Sequence, residues 1–309
     1  MDLDLPKSEC YCAKMSKIKK RREPGKKNRA PFQGKRQDGT SPSKPQETTR
    51  KSSSIQHKGP PWLYGRHAVI AALENQARHC HRLIVTKEFL TTHGEELQKT
   101  LDTSERKRPG AETCERHVID DTLGASAQNA VHQGIALQAD PLPRKNLEDI
   151  LPVLSQNETA LVVVLDQATD PQNIGAVLRS AAAFGAQAVL IPERNAPETT
   201  AALAKAACGA LERIPFIRIT NLSRSLDQLK EEGFWSVGLD GYADTLLSKI
   251  DMKGKTVLVM GSEGSGLRRL TKENCDFLAK IPISKAVESL NLSNATAVSL
   301  YEIARQREG

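Results

Sequence analysis

The sequence predicts an α/β protein: a C-terminal domain on a parallel sheet covered on both faces, preceded by a smaller α/β module. Three observations predict it. Leu161–Leu165 is apolar throughout, and Thr256–Met260 is apolar after its first residue, as strands buried on both faces require. Helical patterns separate these runs along the C-terminal half, and such alternation builds parallel sheets. The chain has 309 residues, 39% of them hydrophobic, which is length for about two domains at roughly 150 residues each.

Residues 1–60 form the first segment. They hold 16 Lys/Arg against 6 Asp/Glu, whereas the remaining residues hold 28 against 31. The net charge of +7 therefore belongs to this tail. Its Lys, Arg, Pro, Gly, Ser, Gln and Thr cannot bury enough apolar surface to offset chain entropy, so disorder is expected. A basic arm is an electrostatic footprint for a polyanion, RNA first and an anionic membrane surface second. Met15, inside the tail, stands as an alternative start. The opening residues lack the apolar core of a secretory signal, and no apolar run approaches the ~20 residues of a membrane span. A cytoplasmic protein without membrane attachment is expected.

Residues 61–141 read as the small module. Tyr64–Leu73 is a turn entering a helix, and Arg82–Thr86 a strand. Val118–Ile119 is a possible second strand, and Val131–Gln138 a third, broken by Gly134. Residues 142–158 are polar and read as a linker. The catalytic-size domain, 159–309, alternates in order. Strands fall at Leu161–Leu165, Ala188–Ile191, Phe216–Thr220, Trp235–Leu239 and Thr256–Met260. Helices fall at Asn173–Phe184, Thr199–Ala207, Leu222–Glu232 and Leu292–Arg307. Continuous apolar strands and 3.6-residue periodicity carry these assignments.

Six cysteines are scattered, and Cys10-Tyr-Cys12 has the wrong spacing for a zinc or redox pair. His79 and His81 flank Cys80, but two imidazoles on one turn rarely make a metal site unaided. No metal is expected. Aromatics are only 4%, which argues against a face that stacks many bases.

Three segments at strand ends hold the unusual residues, where ligands bind in doubly wound sheets. The first, Leu165-Asp-Gln-Ala-Thr-Asp-Pro-Gln-Asn-Ile-Gly-Ala-Val-Leu-Arg-Ser180, places Asn173 at a helix start and Arg179 six residues on. Taken alone, these read as an N-cap and a snorkelling Arg. Gly175 would let a phosphate or sugar approach backbone N–H groups. The second, Leu258-Val-Met-Gly-Ser-Glu-Gly-Ser-Gly-Leu267, runs a strand into a glycine-rich loop with one carboxylate, Glu263. It is neither a Walker A loop nor GxGxxG. The third, Ile281-Pro-Ile-Ser-Lys-Ala-Val-Glu-Ser-Leu-Asn-Leu-Ser-Asn294, ends in Ser289, Asn291, Ser293 and Asn294 before the last helix.

In that order, these segments resemble the three motifs of the TrmH/SpoU branch of the SPOUT methyltransferases. The resemblance runs from Trp62 to the C-terminus and is similar to the bacterial enzymes that methylate a guanosine ribose in large-subunit ribosomal RNA. It implies a C-terminal domain with a trefoil knot, a rare exception to un-knotted topology. It also implies a ribosomal-protein-like RNA-binding module in front, and a homodimer. It implies S-adenosyl-L-methionine (AdoMet) as cofactor, held by Gly261, Ile281, Ile283 and Leu290. Asn173, Arg179, Glu263, Ser289 and Asn291 match the family's polar active-site residues. Lys285 stands where glycine is usual, and Asn294 where valine is common.

The implied chemistry is an in-line displacement needing no metal. A ribose 2'-hydroxyl is a poor nucleophile at neutral pH, so a base or charge stabiliser helps. Guanidinium stays charged in proteins, so Arg179 is expected to stabilise developing negative charge or bind the adjacent phosphate. Asn173 and Glu263 are expected to orient Arg179 and the ribose. Alternatives are the same reaction on transfer RNA and a catalytically silent RNA-binding assembly factor. A nucleotide-binding oxidoreductase is disfavoured by the glycine spacing.

Overall fold

A computed structural model describes residues 59–124, 131–194 and 196–308. The basic tail, apart from its last two residues, lies outside the described residues.

The N-terminal sheet has the strand order β1-β4-β2-β3. Strand β1 (Trp62–Tyr64) leads into α1 (Arg66–Glu74), and β2 (Cys80–Val85) follows. Helix α2 (Lys87–Thr103) is capped by Thr86, whose hydroxyl accepts from Phe89 N. Next come β3 (Ala111–Thr113), α3 (Arg116–Leu123) and β4 (Ile135–Ala139). β4 pairs antiparallel with both β1 and β2, and β3 pairs parallel with β2. Two expectations change here. Val118–Ile119 lies in helix α3, not a strand, because Ile119 and Leu123 sit one helical turn apart and both face the core. Helix α2, left unassigned by the sequence reading, buries Phe89, Leu97 and Thr100.

Residues 142–158, read as a linker, carry helix α4 (Leu147–Gln156). Its Leu147, Ile150 and Leu154 recur at helical spacing and pack under the second sheet with Val162, Val164 and Leu190. The polar residues between them, with Pro152 inside the helix, hide that period.

The second sheet is entirely parallel, in the order β10-β8-β9-β5-β6-β7. It is built from β5 (Leu161–Leu165), α5 (Pro171–Ala183), β6 (Ala188–Pro192), α6 (Ala201–Ala206), α7 (Ala210–Arg213), β7 (Phe216–Ile219), α8 (Leu222–Glu231) and β8 (Trp235–Leu239). A short 3₁₀ turn at Leu247–Lys249, β9 (Thr256–Met260), α9 (Arg269–Asn274), β10 (Phe277–Ala279) and α10 (Leu292–Glu308) complete it. All five residues of β5 and of β9 are buried, as the continuous apolar runs require. One hydrophobic cluster runs through both sheets, joining Leu63, Val69 and Leu73 to Leu203, Ala207 and Leu211.

A buried ion pair fastens the two sheets. Arg78 and Glu212 are each 4% exposed at the side chain. The guanidinium donates twice to the Glu212 carboxylate and once to the Asp140 carbonyl, and Asn75 Nδ2 adds a 2.8 Å bond to the same carboxylate. A charge pair taken this far from water persists only when its donors and acceptors are satisfied, and here they are.

Candidate active site

Parallel strands put all their carboxyl ends on one side, and the site gathers there. Leu165 pairs with Met260 at the ends of β5 and β9. Beyond Met260 the chain turns tightly: Ser262 and Gly266 exchange backbone hydrogen bonds of 3.1 and 3.0 Å. Gly264 and Gly266 take φ values of 87° and 66°, the left-handed region that favours glycine. A Cβ at Gly261 would lie 2.2 Å from Gly266 C and 2.4 Å from Leu267 N. Glycine is therefore needed at 261 to let the loop fold back on itself.

This loop presents Glu263. Its Oε1 accepts from Asn173 Nδ2 at 2.8 Å, from Asn291 Nδ2 at 2.6 Å and from the backbone N–H of Leu292 at 3.1 Å. The three strand-end segments thus converge on one carboxylate oxygen. Each donor is placed by a local device. Asp170 accepts from Gln172 N and Asn173 N, with Pro171 opening the helix, so Asn173 sits in the first turn of α5. Asn291 accepts from Ser293 N and Oγ in an Asx turn entering α10. Glu263 itself caps α10, where the helix dipole favours a negative charge.

Two residues outside the sequence expectations anchor this loop. Asp166, with no exposed surface, receives Arg268 Nε at 2.7 Å, Nη2 at 2.6 Å and the Arg268 backbone N–H at 3.1 Å. The pair ties the far side of the glycine loop to the end of β5. An aspartate just past an apolar strand is the only sequence signal for it, and capping residues show the same pattern.

Beside Glu263 lies an open cleft of about 660 Å³, counting the solvent at its mouth. Gly261, Ile281, Ile283, Ser289 and Leu290 line it, so the structure brings together all four expected cofactor residues with Ser289. Leu239, Met260, Leu292 and Ala295 extend its apolar wall; Asp240, Lys280 and Glu288 add charge. Asp240 is partly buried, which alone would raise its pKa, but bonds from Lys272 and Tyr242 N hold it below the ordinary carboxylate range.

Arg179 is not brought to this cluster. It is exposed on α5, where Nη1 donates to Cys208 Sγ at 3.5 Å. Six helical residues separate it from Asn173 by about 9 Å along the axis and turn it onto another face. Side-chain hydrogen bonds join Asn173 and Glu263 to each other and to Asn291, and that of Arg179 runs to Cys208. Gly175 also has another role. A Cβ there would meet Ala206 Cβ at 2.5 Å and the Leu203 carbonyl at 2.7 Å, so this glycine lets α6 pack on α5.

The cleft suits AdoMet. Its aliphatic walls match an adenine, and Ile283 leaves 41% of its surface exposed there. With Asp240 paired to Lys272, the carboxylates of Glu263 and Glu288 still outnumber the one remaining lysine, Lys280, which favours a ligand of net positive charge such as an amino-acid sulfonium.

Comparisons with known proteins agree with this geometry. Residues 160–301 match the SpoU rRNA methylase family, and residues 62–144 match the RNA 2'-O ribose methyltransferase substrate-binding family. The chain is 42% identical to a 23S rRNA (guanosine-2'-O-)-methyltransferase RlmB of Coxiella burnetii, over 80% of this chain and 96% of that protein. A Pseudomonas aeruginosa protein of the same name is 40% identical over 79% of this chain and 96% of its own. Among solved structures, the SpoU methyltransferase AviRb of Streptomyces viridochromogenes, in complex with AdoMet, superposes with a TM-score of 0.66 at 26% identity. It covers 81% of this chain and 91% of that one.

Proposed function

The chain belongs to the SpoU rRNA methylase family, and from that premise we propose that it methylates the ribose 2'-hydroxyl of a guanosine in large-subunit ribosomal RNA, using AdoMet. The convergence of Asn173, Asn291 and Leu292 N on Glu263, at the lip of the cleft, carries the reading.

AdoMet, when bound, would supply a methyl on a sulfonium: in-line attack by the 2'-oxygen forms the O–CH3 bond as the S–CH3 bond breaks, the neutral thioether leaves, and the hydroxyl proton passes to solvent. The chain's part is to hold and orient. Gly261, Ile281, Ile283 and Leu290 form the wall that holds the cofactor, and Ser289 offers a hydroxyl at the same wall. Asn173 and Asn291, each locked by Glu263, present fixed amides to the ribose; orientation of this kind supplies several kcal/mol. Arg179 supplies a guanidinium, a planar fork of five N–H donors. Its exposed position on α5 suits a phosphate next to the target ribose, which it would hold as a cation and not as a base.

The division of labour follows the two sheets. Residues 61–141 select RNA and 159–309 catalyse, with α4 packed under the second sheet as part of the latter and the basic segment 1–60 adding phosphate contacts. The chain from β10 through 280–291 to α10, which packs against α5, carries the knotted path of the family. A homodimer fits the outer face of α10, where Val298 and Tyr301 are exposed and Tyr301 meets Phe184 edge-on with centroids 6.4 Å apart. Among the described residues no helix is long and apolar enough to cross a membrane, and we place the protein in the cytoplasm.

The direct test is calorimetry with AdoMet, with NAD as control, followed by methyl transfer to large-subunit ribosomal RNA and to transfer RNA. AdoMet binding with transfer to the ribosomal RNA is expected. Binding without transfer to either RNA would favour the assembly-factor role.

A further inference from the structure

Two imidazoles and a carboxylate meet at the surface of the N-terminal sheet. Cys80 opens β2 and its thiol turns inward, with Sγ 3.9 Å from the Ala72 carbonyl. Alternation along an extended chain sends its neighbours, His79 and His81, out together, and their rings lie 4.6 Å apart. The third group is remote in sequence. Asp140 follows β4, and its backbone N–H donates to the His79 carbonyl at 2.9 Å. The β2–β4 pairing therefore sets its carboxylate beside both rings. His81 Nε2 is 2.9 Å from Asp140 Oδ1, and His79 Nδ1 is 3.6 Å from Oδ2. One ligand atom from each residue lies within 4.8 Å of the others.

We propose that His79, His81 and Asp140 bind a borderline divalent cation, with zinc the best match. Neutral imidazole and carboxylate are zinc ligands, at about 2.0–2.2 Å. Tetrahedral bonds of that length set donors roughly 3.3–3.5 Å apart; His81 and His79 lie 2.9 and 3.6 Å from the two oxygens of Asp140, and the three ligand atoms spread over at most 4.8 Å. The wider separation closes by side-chain rotation, since the three side chains are 58%, 34% and 46% exposed. Calcium and magnesium prefer all-oxygen shells and fit two imidazoles poorly. Three protein ligands leave a coordination position for solvent.

The position has a structural consequence. The Asp140 carbonyl accepts from Arg78 Nη1 at 2.6 Å, and the same guanidinium pairs with Glu212 across the junction of the two sheets. A cation on the Asp140 carboxylate braces the residue that seats this junction. Its role is structural and separate from methyl transfer, since none of the three ligands lines the cleft.

The test uses the full, tag-free chain. Zinc chloride is titrated by calorimetry and by thermal melting, and cobalt(II) is substituted for its visible spectrum. One saturable equivalent is expected, with a raised melting temperature and cobalt d–d bands lacking a thiolate charge-transfer band. His81→Ala and Asp140→Asn should each weaken binding by roughly tenfold or more, since losing even an outer partner of a metal ligand costs about that much. Both variants should keep AdoMet affinity, which shows that they fold. Cys10→Ser with Cys12→Ser should bind zinc like the parent. The site is overturned by any of three results: no saturable zinc uptake, undiminished uptake in both ligand variants, or a thiolate band with uptake lost in the Cys10/Cys12 variant.

Discussion

Asp166 is fully buried and its Oδ1 lies 2.6 Å from Arg268 Nη2, an ion pair that pins the glycine loop to the end of the central strand β5. Removing the cation leaves a carboxylate stranded away from water. Arg268→Ala is expected to cost about 2–3 kcal/mol, below the range for fully buried pairs because the Arg268 side chain is 47% exposed. AdoMet affinity should fall with it, because the loop that closes the cleft loses its anchor. Denaturant unfolding beside calorimetry checks both. A stability loss with unchanged AdoMet affinity would detach this pair from the site.

Glu263→Ala separates capping from chemistry. As the acceptor for Leu292 N, Glu263 is worth about 1 kcal/mol to α10. As the group that fixes Asn173 and Asn291, it is worth more to the reaction, and single-turnover methylation should drop roughly a hundredfold. If the rate falls only as far as the folded fraction does, Glu263 is a helix cap and nothing more.

Gly261→Ala is expected to abolish AdoMet binding through the loop itself. The added methyl has nowhere to go but the backbone of Gly266 and Leu267, so the turn must open. Circular dichroism should report an intact fold while calorimetry reports no cofactor heat. Normal AdoMet affinity in this variant would show that the loop relaxes freely.

The sequence is most legible where burial is complete. Leu161–Leu165 is the clear case, because all five of its residues are apolar and buried and the polar Asp166 follows at once. Helix α3 is misread because Val118-Ile119 is too short an apolar run to tell a strand from a helical face. Asn173, Glu263 and Asn291 were identifiable through their resemblance to family motifs; residue by residue, Asn173 reads as a cap and Glu263 as one carboxylate in a glycine-rich loop. Contacts between distant segments leave no local trace. Asp166 meets Arg268 across 102 residues, and Asp140 meets His81 across 59. Gly175 shows the opposite error: a helix-start glycine suggests ligand approach, yet its missing side chain makes room for Ala206.

Acid should weaken the hold of the C-terminal helix. Hydrogen bonds from Arg305 and then Gln306 pull the Glu302 pKa down to about 2. A carboxyl lowered on folding stabilises above its unfolded pKa and loses that contribution as pH falls through the folded value. Glu302→Gln should therefore melt below the parent near neutral pH, and the gap should narrow between about pH 4.5 and pH 2. A gap that is flat across this window would show that Glu302 contributes nothing through its charge.

The substrate prediction rests on three independent features. Residues 160–301 match a methylase family, residues 62–144 match a substrate-binding family, and residues 1–60 carry the basic surplus. Specific RNA readers target loops and bulges, whose bases are free of helical stacking. A cell without this gene is expected to lack one 2'-O-methyl on a guanosine in a loop of large-subunit ribosomal RNA. Methylation keeps a 2'-oxygen from attacking its own phosphate, so the modified linkage resists alkali. Alkaline-cleavage profiling of the deletion strain should show one newly cleavable linkage, which the wild-type gene restores. Restoration should fail with Asn291→Ala, which removes a donor from Glu263. A new cleavage in a transfer RNA, with ribosomal profiles unchanged, would move the substrate and keep the chemistry. Rescue by the Asn291 variant would instead remove the Glu263 cluster from the reaction.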